Sequence, residues 1–215
     1  MRHKALLLDL DGTLICTDTI HRELWTHILA TYGCTVTEEA YVQRIAGKDD
    51  LAIWQEWGVG SQEEREAWTV WKQEEFLRRI HEAQPVPGGK ERVQEWSQAG
   101  FGHWVGVVTN SNSIIANALL VRLGIENFVD VLITSDSGCA PKPSPAPYQE
   151  ALFQVGVEPE NAIIVEDSEV GITSARRTGP GFLFRITPEP QPLLSEWGVI
   201  PIRDFTDNRL APSAL

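Results

Sequence analysis

The stretch Ala5-Leu6-Leu7-Leu8-Asp9-Leu10-Asp11-Gly12-Thr13-Leu14 constrains the fold more than any other part of the chain. An apolar run bounded by Lys4 and Gly12 reads as a buried strand of a parallel sheet, because a strand covered on both faces does not alternate polar with apolar residues. Its end carries two carboxylates. Side chains in a strand alternate faces, so Asp9 and Asp11 are expected on one side, with Cα atoms about 7 Å apart in a straight strand. Gly12 then lets the backbone turn away from the sheet. Carboxylates at the carboxyl end of a first strand lie where open α/β sheets bind ligands. Alone, this pattern fits equally well a polar strand end followed by a turn, and the rest of the chain has to decide.

Beyond Leu14 the period changes. Ile20, Leu24, Trp25, Ile28 and Leu29 fall at helical spacing until Gly33. Thr37 is placed to cap a second helix that stops at Gly47, and Asp49 with Asp50 opens a third that stops at Gly58. Ser61-Gln62-Glu63-Glu64 has the form of a capping box and starts a longer helix to about Ala83. Residues 18–85 are therefore helical in pattern, and Pro85-Val86-Pro87-Gly88-Gly89 is a linker by composition. From Lys90 onward helices alternate with strand-like runs at 104–108, 129–134, 162–165 and 182–186, with a weaker one at 199–202. The expectation is an α/β fold: a parallel-sheet core from residues 1–17 and 86–215, interrupted after its first strand by an all-helical insertion at 18–85. Residues 187–215 are Pro-rich, and their last several carry too little pattern to assign an element.

Charge narrows the partners. The chain has 18 basic and 30 acidic residues, a formal charge of −12, which argues against a broad nucleic-acid surface or an anionic membrane. An anionic substrate would need a local cation. No apolar run reaches transmembrane length, and MRHK leads into a strand-like segment without a cleavage site, so neither a membrane span nor a signal peptide is read. Three cysteines, Cys16, Cys34 and Cys139, at unrelated spacings suggest neither a disulfide framework nor a zinc site, and a cytoplasmic location follows as the expectation.

Polar clusters collect at further strand ends. One strand ends in Thr109-Asn110-Ser111, a hydroxyl and a small turn able to offer backbone N–H groups to an oxyanion. Another leads to Lys142, fixed between prolines. A third ends in Glu166-Asp167-Ser168, with Gly171 at a helix start. Taken singly, Thr109 and Ser111 fit helix caps, Lys142 a solvated loop charge, and Glu166-Asp167 the acids of a helix N-terminus. Together they converge on one edge of one sheet. Asp9, Asp11, Glu166 and Asp167 face a single nearby lysine and would push one another's pKa values up unless a cation sat among them. Oxygen ligands of this kind suit Mg²⁺ rather than zinc. With Lys142 and the Thr109 hydroxyl, they surround a spot beside Asp9 suited to a phosphoryl group in transfer.

The four stretches LLLDLDGTL, VVTNS, KPSPAPY and IIVEDSEVGITSA match, in order, the four motifs of the haloacid dehalogenase-like superfamily. The chain most resembles its phosphatase and phosphomutase branch with a helical cap, similar to phosphoglycolate phosphatase and beta-phosphoglucomutase. The resemblance implies a Rossmann-like core, a Mg²⁺ cofactor and an aspartyl-phosphate intermediate. By position it makes Asp9 the nucleophile and Asp11 the general acid and base. It makes Thr109 and Lys142 the phosphoryl-binding pair, and the metal set Asp9, the main-chain carbonyl of Asp11, and Asp167 with Glu166. An aspartate at position 11 speaks against dehalogenase chemistry, whose branch lacks one there. The chain departs from the pattern at Cys16, where relatives usually carry an Asp at the hinge, at Pro141 before the lysine, and at Thr178-Gly179-Pro180-Gly181 after the fourth motif.

The helical insertion is where substrate choice is expected. Lys48 follows Gly47 in a loop between cap helices, and His21 and Trp25 lie just past the hinge; Asn110, Ser111, His21 and Lys48 are the candidate substrate contacts. A surface lysine and a His and Trp packed within the cap are the competing readings. Trp54 with Trp57, and Trp68 with Trp71, recur at i,i+3 and read as cap core. Gly88-Gly89-Lys90 lacks the upstream glycine and the following Ser or Thr of a nucleotide loop, and reads as a second hinge. The expected activity is Mg²⁺-dependent hydrolysis of a small phosphorylated metabolite. A sugar phosphomutase using the same residues is the alternative, and a non-catalytic binding protein on the same fold is a third.

Overall fold

The computed structural model describes residues 4–188 and 198–214. Strand β1 (Lys4–Leu8) is the run of leucines, and it lies in the middle of a six-stranded sheet. Its neighbours are β4 (His103–Val108) and β6 (Ala162–Glu166), both parallel to it. The sheet continues outward through β5 (Val131–Ile133) on one side, and through β7 (Phe182–Ile186) and β8 (Val199–Ile202) on the other. Its order is β5-β4-β1-β6-β7-β8 and every pairing is parallel. The α/β expectation holds, including the weakly patterned strand at 199–202.

The uninterrupted apolar sequence of β1 is explained by its two covered faces. Leu6 and Leu8 join Val105, Val107, Ile163 and Val165 in one core, against helices α5 (Gly89–Ser97) and α6 (Ser113–Leu123). Ala5 and Leu7 face the other way with Ile164, toward α7 (Ala146–Val155) and α8 (Glu169–Thr178).

Residues after β1 leave the sheet through β2 (Ile15–Cys16) and return through β3 (Gln84–Pro85), which pair antiparallel as Ile15 with Pro85 and Cys16 with Gln84. Neither element has a sequence signal: each is two residues long, and the pairing joins segments far apart in the chain. Between them lie α1 (Asp18–Ala30), α2 (Glu38–Arg44), α3 (Asp50–Trp57) and α4 (Gln62–Arg79). The caps fall where sequence chemistry puts them. Thr37 accepts from the Ala40 amide, Asp49 from Ala52, and Ser61 with Glu64 forms a reciprocal capping box. These helices share a core of their own in which Trp25, Ile28, Leu29, Ile53 and Trp54 are buried, with Trp57, Trp68 and Trp71 packed against it. The tryptophan repeats are core, as their spacing suggests.

The C-terminal residues carry more order than their sequence pattern indicates. Short 3₁₀ turns form at Asn208–Leu210 and Pro212–Ala214. The first is fastened by side chains of α5: the Trp96 indole donates to the Leu210 carbonyl at 2.7 Å, and Arg92 donates to the carbonyls of Phe205 and Asp207. Because the tail supplies main-chain carbonyls, its sequence needs no periodicity.

Candidate active site

One ammonium ties three strand ends together. Lys142 is 4% exposed, and its Nζ donates to Asp9 Oδ1 at 2.8 Å, Glu166 Oε1 at 2.5 Å and the Val108 carbonyl at 2.7 Å. A lysine has three N–H donors, and here all three are engaged at the ends of β1, β4 and β6. Burial alone would lower the ammonium's pKa, but the two carboxylates outweigh it and raise it. Tyr148 completes the arrangement: its hydroxyl donates to Glu166 Oε1 at 2.7 Å and its ring lies 5.0 Å from Lys142 Nζ. This tyrosine was not singled out in the sequence, although it ends the KPSPAPY stretch and so rides on the first turns of α7.

The three acids Asp9, Glu166 and Asp167 each present a carboxylate oxygen within 4.8 Å of the others. Burial, followed by the Asp9 and Glu166 charges, pushes Asp167 well above the usual carboxylate range. Burial likewise brings Asp9 up to about 7, against the lowering effect of Lys142. One lysine does not balance three carboxylates, and a hard divalent cation fits this donor set. Gly12 shapes its edge. It turns with φ +82° so close to Asp167 that a Cβ there would lie 2.2 Å from Oδ2.

Asp11 occupies a different environment from Asp9. The strand ends at Leu8, so Asp11 lies in the turn beyond it and bridges to Ile15; both aspartates line one cavity through that turn and not through strand alternation. Its carboxylate accepts from Thr17 Oγ1 at 2.7 Å, Ser111 Oγ at 2.7 Å and Thr109 Oγ1 at 3.2 Å, and meets His21 Nε2 at 3.2 Å. Burial would raise its pKa, but these partners, His21 foremost, hold it at about 2. The converging donors favour its ionised form. Its carboxylate is not among the clustered three and is taken up by the hydroxyls of Thr17, Thr109 and Ser111.

Other candidates separate by geometry. Thr109 accepts from the Ser111 amide, and the cap of α6 is Asn112, whose Oδ1 accepts from Ile115 N. Thr109 and Ser111 are thus released from the capping role. Ser168 caps α8 through the Gly171 amide, which leaves Glu166 and Asp167 ahead of the helix. Asn110 is a tether: its Nδ2 donates to the carbonyls of Gly47 and Lys142, and its Oδ1 accepts from Lys142 N. Thr17, 1% exposed, has no local signal in the sequence and is revealed only by its bond to Asp11.

The cavity measures about 840 Å³ and lies between the carboxyl edge of the sheet and α1–α4. Asp9, Asp11, Thr109, Lys142 and Asp167 form its floor. His21 and Lys48 line it from the helical side, His21 tilted 4.8 Å from Phe76 and Lys48 within 3.7 Å of Glu56.

The family model for haloacid dehalogenase-like hydrolases matches residues 6–184. The chain belongs to this family. This haloacid dehalogenase-like hydrolase is 30% identical over 215 residues to the validoxylamine A 7'-phosphate phosphatase of Streptomyces hygroscopicus subsp. limoneus, covering 96% of each chain. It is 28% identical to the fructose-1-phosphate phosphatase YqaB of Escherichia coli, over 83% of this chain and 94% of that one. Among solved structures, CbbY from Rhodobacter sphaeroides in complex with phosphate superposes with a TM-score of 0.79 at 23% identity, over 95% and 96% of the two chains, a likeness of fold. The enzyme is a phosphatase of the haloacid dehalogenase-like family. Among the described residues no helix is long and apolar enough to cross a membrane.

Proposed function

We propose that this phosphatase hydrolyses a small phosphorylated sugar with Mg²⁺ as cofactor, through a phosphoryl group carried on Asp9. The observation that supports it best is Lys142, which gathers Asp9, Val108 and Glu166 at one point of the cavity floor. The phosphate esters named for the relatives that match most of the chain are of the same class.

Asp9, Asp167 and Glu166, with the main-chain carbonyl of Asp11, would hold Mg²⁺, which supplies positive charge to the carboxylates and to the phosphoryl oxygens. An Asp9 oxygen attacks phosphorus, the bond to the sugar oxygen breaks, and that oxygen takes a proton from the Asp11–His21 pair. Water then attacks the phosphorus carried on Asp9, losing a proton to Asp11 as the bond between phosphorus and the Asp9 oxygen breaks, and inorganic phosphate departs with the Asp9 carboxylate restored. The ionised state favoured for Asp11 suits this second step. Lys142 contributes its positive charge beside the phosphoryl group while its three donors hold Asp9, Val108 and Glu166, and the Thr109 hydroxyl turns from Asp11 to a phosphoryl oxygen when the ester binds. Helices α1–α4, residues 18–85, act as the cap over the site, with His21 and Lys48 facing the sugar and Asn110 fixing the Gly47 loop to the floor.

Phosphate release from a panel of sugar, nucleotide and short-acid phosphates, with and without Mg²⁺, tests this reading beside Asp9→Asn. Metal-dependent release, abolished in the variant, is expected. A folded protein that releases phosphate from no ester in the presence of metal would overturn it.

A further inference from the structure

The cations that line the cavity are each held by an acid. Arg22 pairs with Glu38 at 2.5 Å, Lys72 with Asp50 at 2.7 Å, and Arg185 with Glu169. Lys48 is the least tightly held, 3.7 Å from a Glu56 that also takes Arg44 at 3.1 Å. Lys142 is committed to the floor. On the helical wall Arg22, Lys48 and Lys72 therefore stand against Asp18, Glu38, Asp49 and Asp50, which leaves that wall short of positive charge.

The Lys72–Asp50 pair is the most informative of these. Lys72 is a buried lysine, 5% exposed along its side chain, and its Nζ lies 5.3 Å from the ring of Trp25. A cation so deep in a wall is a natural partner for a second anionic group on a ligand, yet Asp50 already neutralises it. Such a pair is better matched to a hydroxyl, which can accept from the ammonium and donate to the carboxylate at once. A phosphate or carboxylate brought to the same place would be desolvated beside Asp50 with no unbalanced cation to compensate it.

We infer that the cavity selects phosphate monoesters whose remaining skeleton is uncharged or cationic and bears hydroxyls, and that Lys72–Asp50 excludes esters with a second phosphate or a carboxylate. This rests on the proposed hydrolase reading and narrows its substrate class. It also disfavours the mutase alternative where that reaction depends on a bisphosphate activator.

The test compares matched substrates that differ by one anionic group: fructose 1-phosphate with fructose 1,6-bisphosphate, and glycerol 3-phosphate with 3-phosphoglycerate. The less charged member of each pair should have the higher kcat/KM, by about tenfold or more, the scale of an uncompensated like-charge contact. Asp50→Asn, which frees the Lys72 charge, should move both ratios toward the more anionic member, and Lys72→Gln should move them the other way. A change that was only structural would lower both members together and leave the ratios in place. Equal or better turnover of the bisphosphate and the phosphoacid by the unaltered enzyme would overturn the inference, as would unmoved ratios in folded variants. Should a variant fail to fold, the unaltered enzyme's ratios decide alone. p-Nitrophenyl phosphate separates the two failures: turnover of it with ratios near unity refutes the selection alone, and no turnover of any ester refutes the hydrolase reading.

Discussion

Gly171→Ala sets two forces against each other. Gly171 is the third residue of α8, where alanine is the better helix former by up to ~1 kcal/mol. Propensity alone predicts a stabilised protein. A Cβ at this position, however, would lie 2.0 Å from Glu166 Cδ and Oε2. Glu166 is fully buried and has little freedom to retreat, because Lys142 and Tyr148 both donate to its Oε1. Losing one hydrogen bond to this charged group costs ~1.5–3 kcal/mol, and disturbing both costs more. The expected net result is destabilisation by ~2–4 kcal/mol, since the clash exceeds the propensity gain. Lys142 moves with Glu166, so Asp9 loses its fixed geometry, and turnover should fall by about 100-fold, the scale of a 1 Å misplacement at a reacting centre. Urea denaturation and phosphate release read the two effects separately. A midpoint equal to or above the unaltered protein's, with turnover unchanged, would refute the reasoning.

Tyr148→Phe removes one donor from Glu166 without creating a clash and should destabilise by ~1.5–3 kcal/mol in urea titrations. Ser61→Ala removes a cap far from the floor and should cost ~1 kcal/mol, read as a lower thermal midpoint. Asn110→Ala frees the Gly47 loop and should raise KM for the preferred ester more than it lowers the denaturation midpoint. Asp136 is held below the usual carboxylate range because hydrogen bonds from Ser113 and Thr134 outweigh the effect of burial. Its contribution is present above the unfolded pKa and disappears as pH falls through the folded one, so Asp136→Asn should flatten the acid limb of a stability–pH profile.

Most of the fold was legible because its signals are local. The leucines of β1, the caps Thr37, Asp49 and Ser61, and the strand-end positions of Asp9, Thr109 and Glu166 each follow from a few adjacent residues. What escaped depends on contacts between distant segments. The β2–β3 pairing joins Cys16 to Gln84. Thr17 and Tyr148 matter through Asp11 and Glu166, and a hydroxyl in a sequence does not reveal which carboxylate it will meet. The surroundings of Asp11 are of the same kind: two aspartates in one motif look alike until the distant hydroxyls that meet one of them are known. Asn110 lines the cavity as its position suggests, but its bonds to Gly47 and Lys142 join segments that the sequence keeps apart.

The short antiparallel ladder of Ile15–Cys16 with Gln84–Pro85 places the entrance and the exit of the helical segment side by side. From the sheet's standpoint that segment is one long excursion whose ends meet. Closing such an excursion costs only about 0.6 kcal/mol more for each doubling of its length. A core joined in this way can carry helical segments of very different size at almost constant stability. On the proposed reading, the phosphoryl chemistry at the sheet edge and the choice of substrate by whatever is spliced between residues 16 and 84 can then diverge independently.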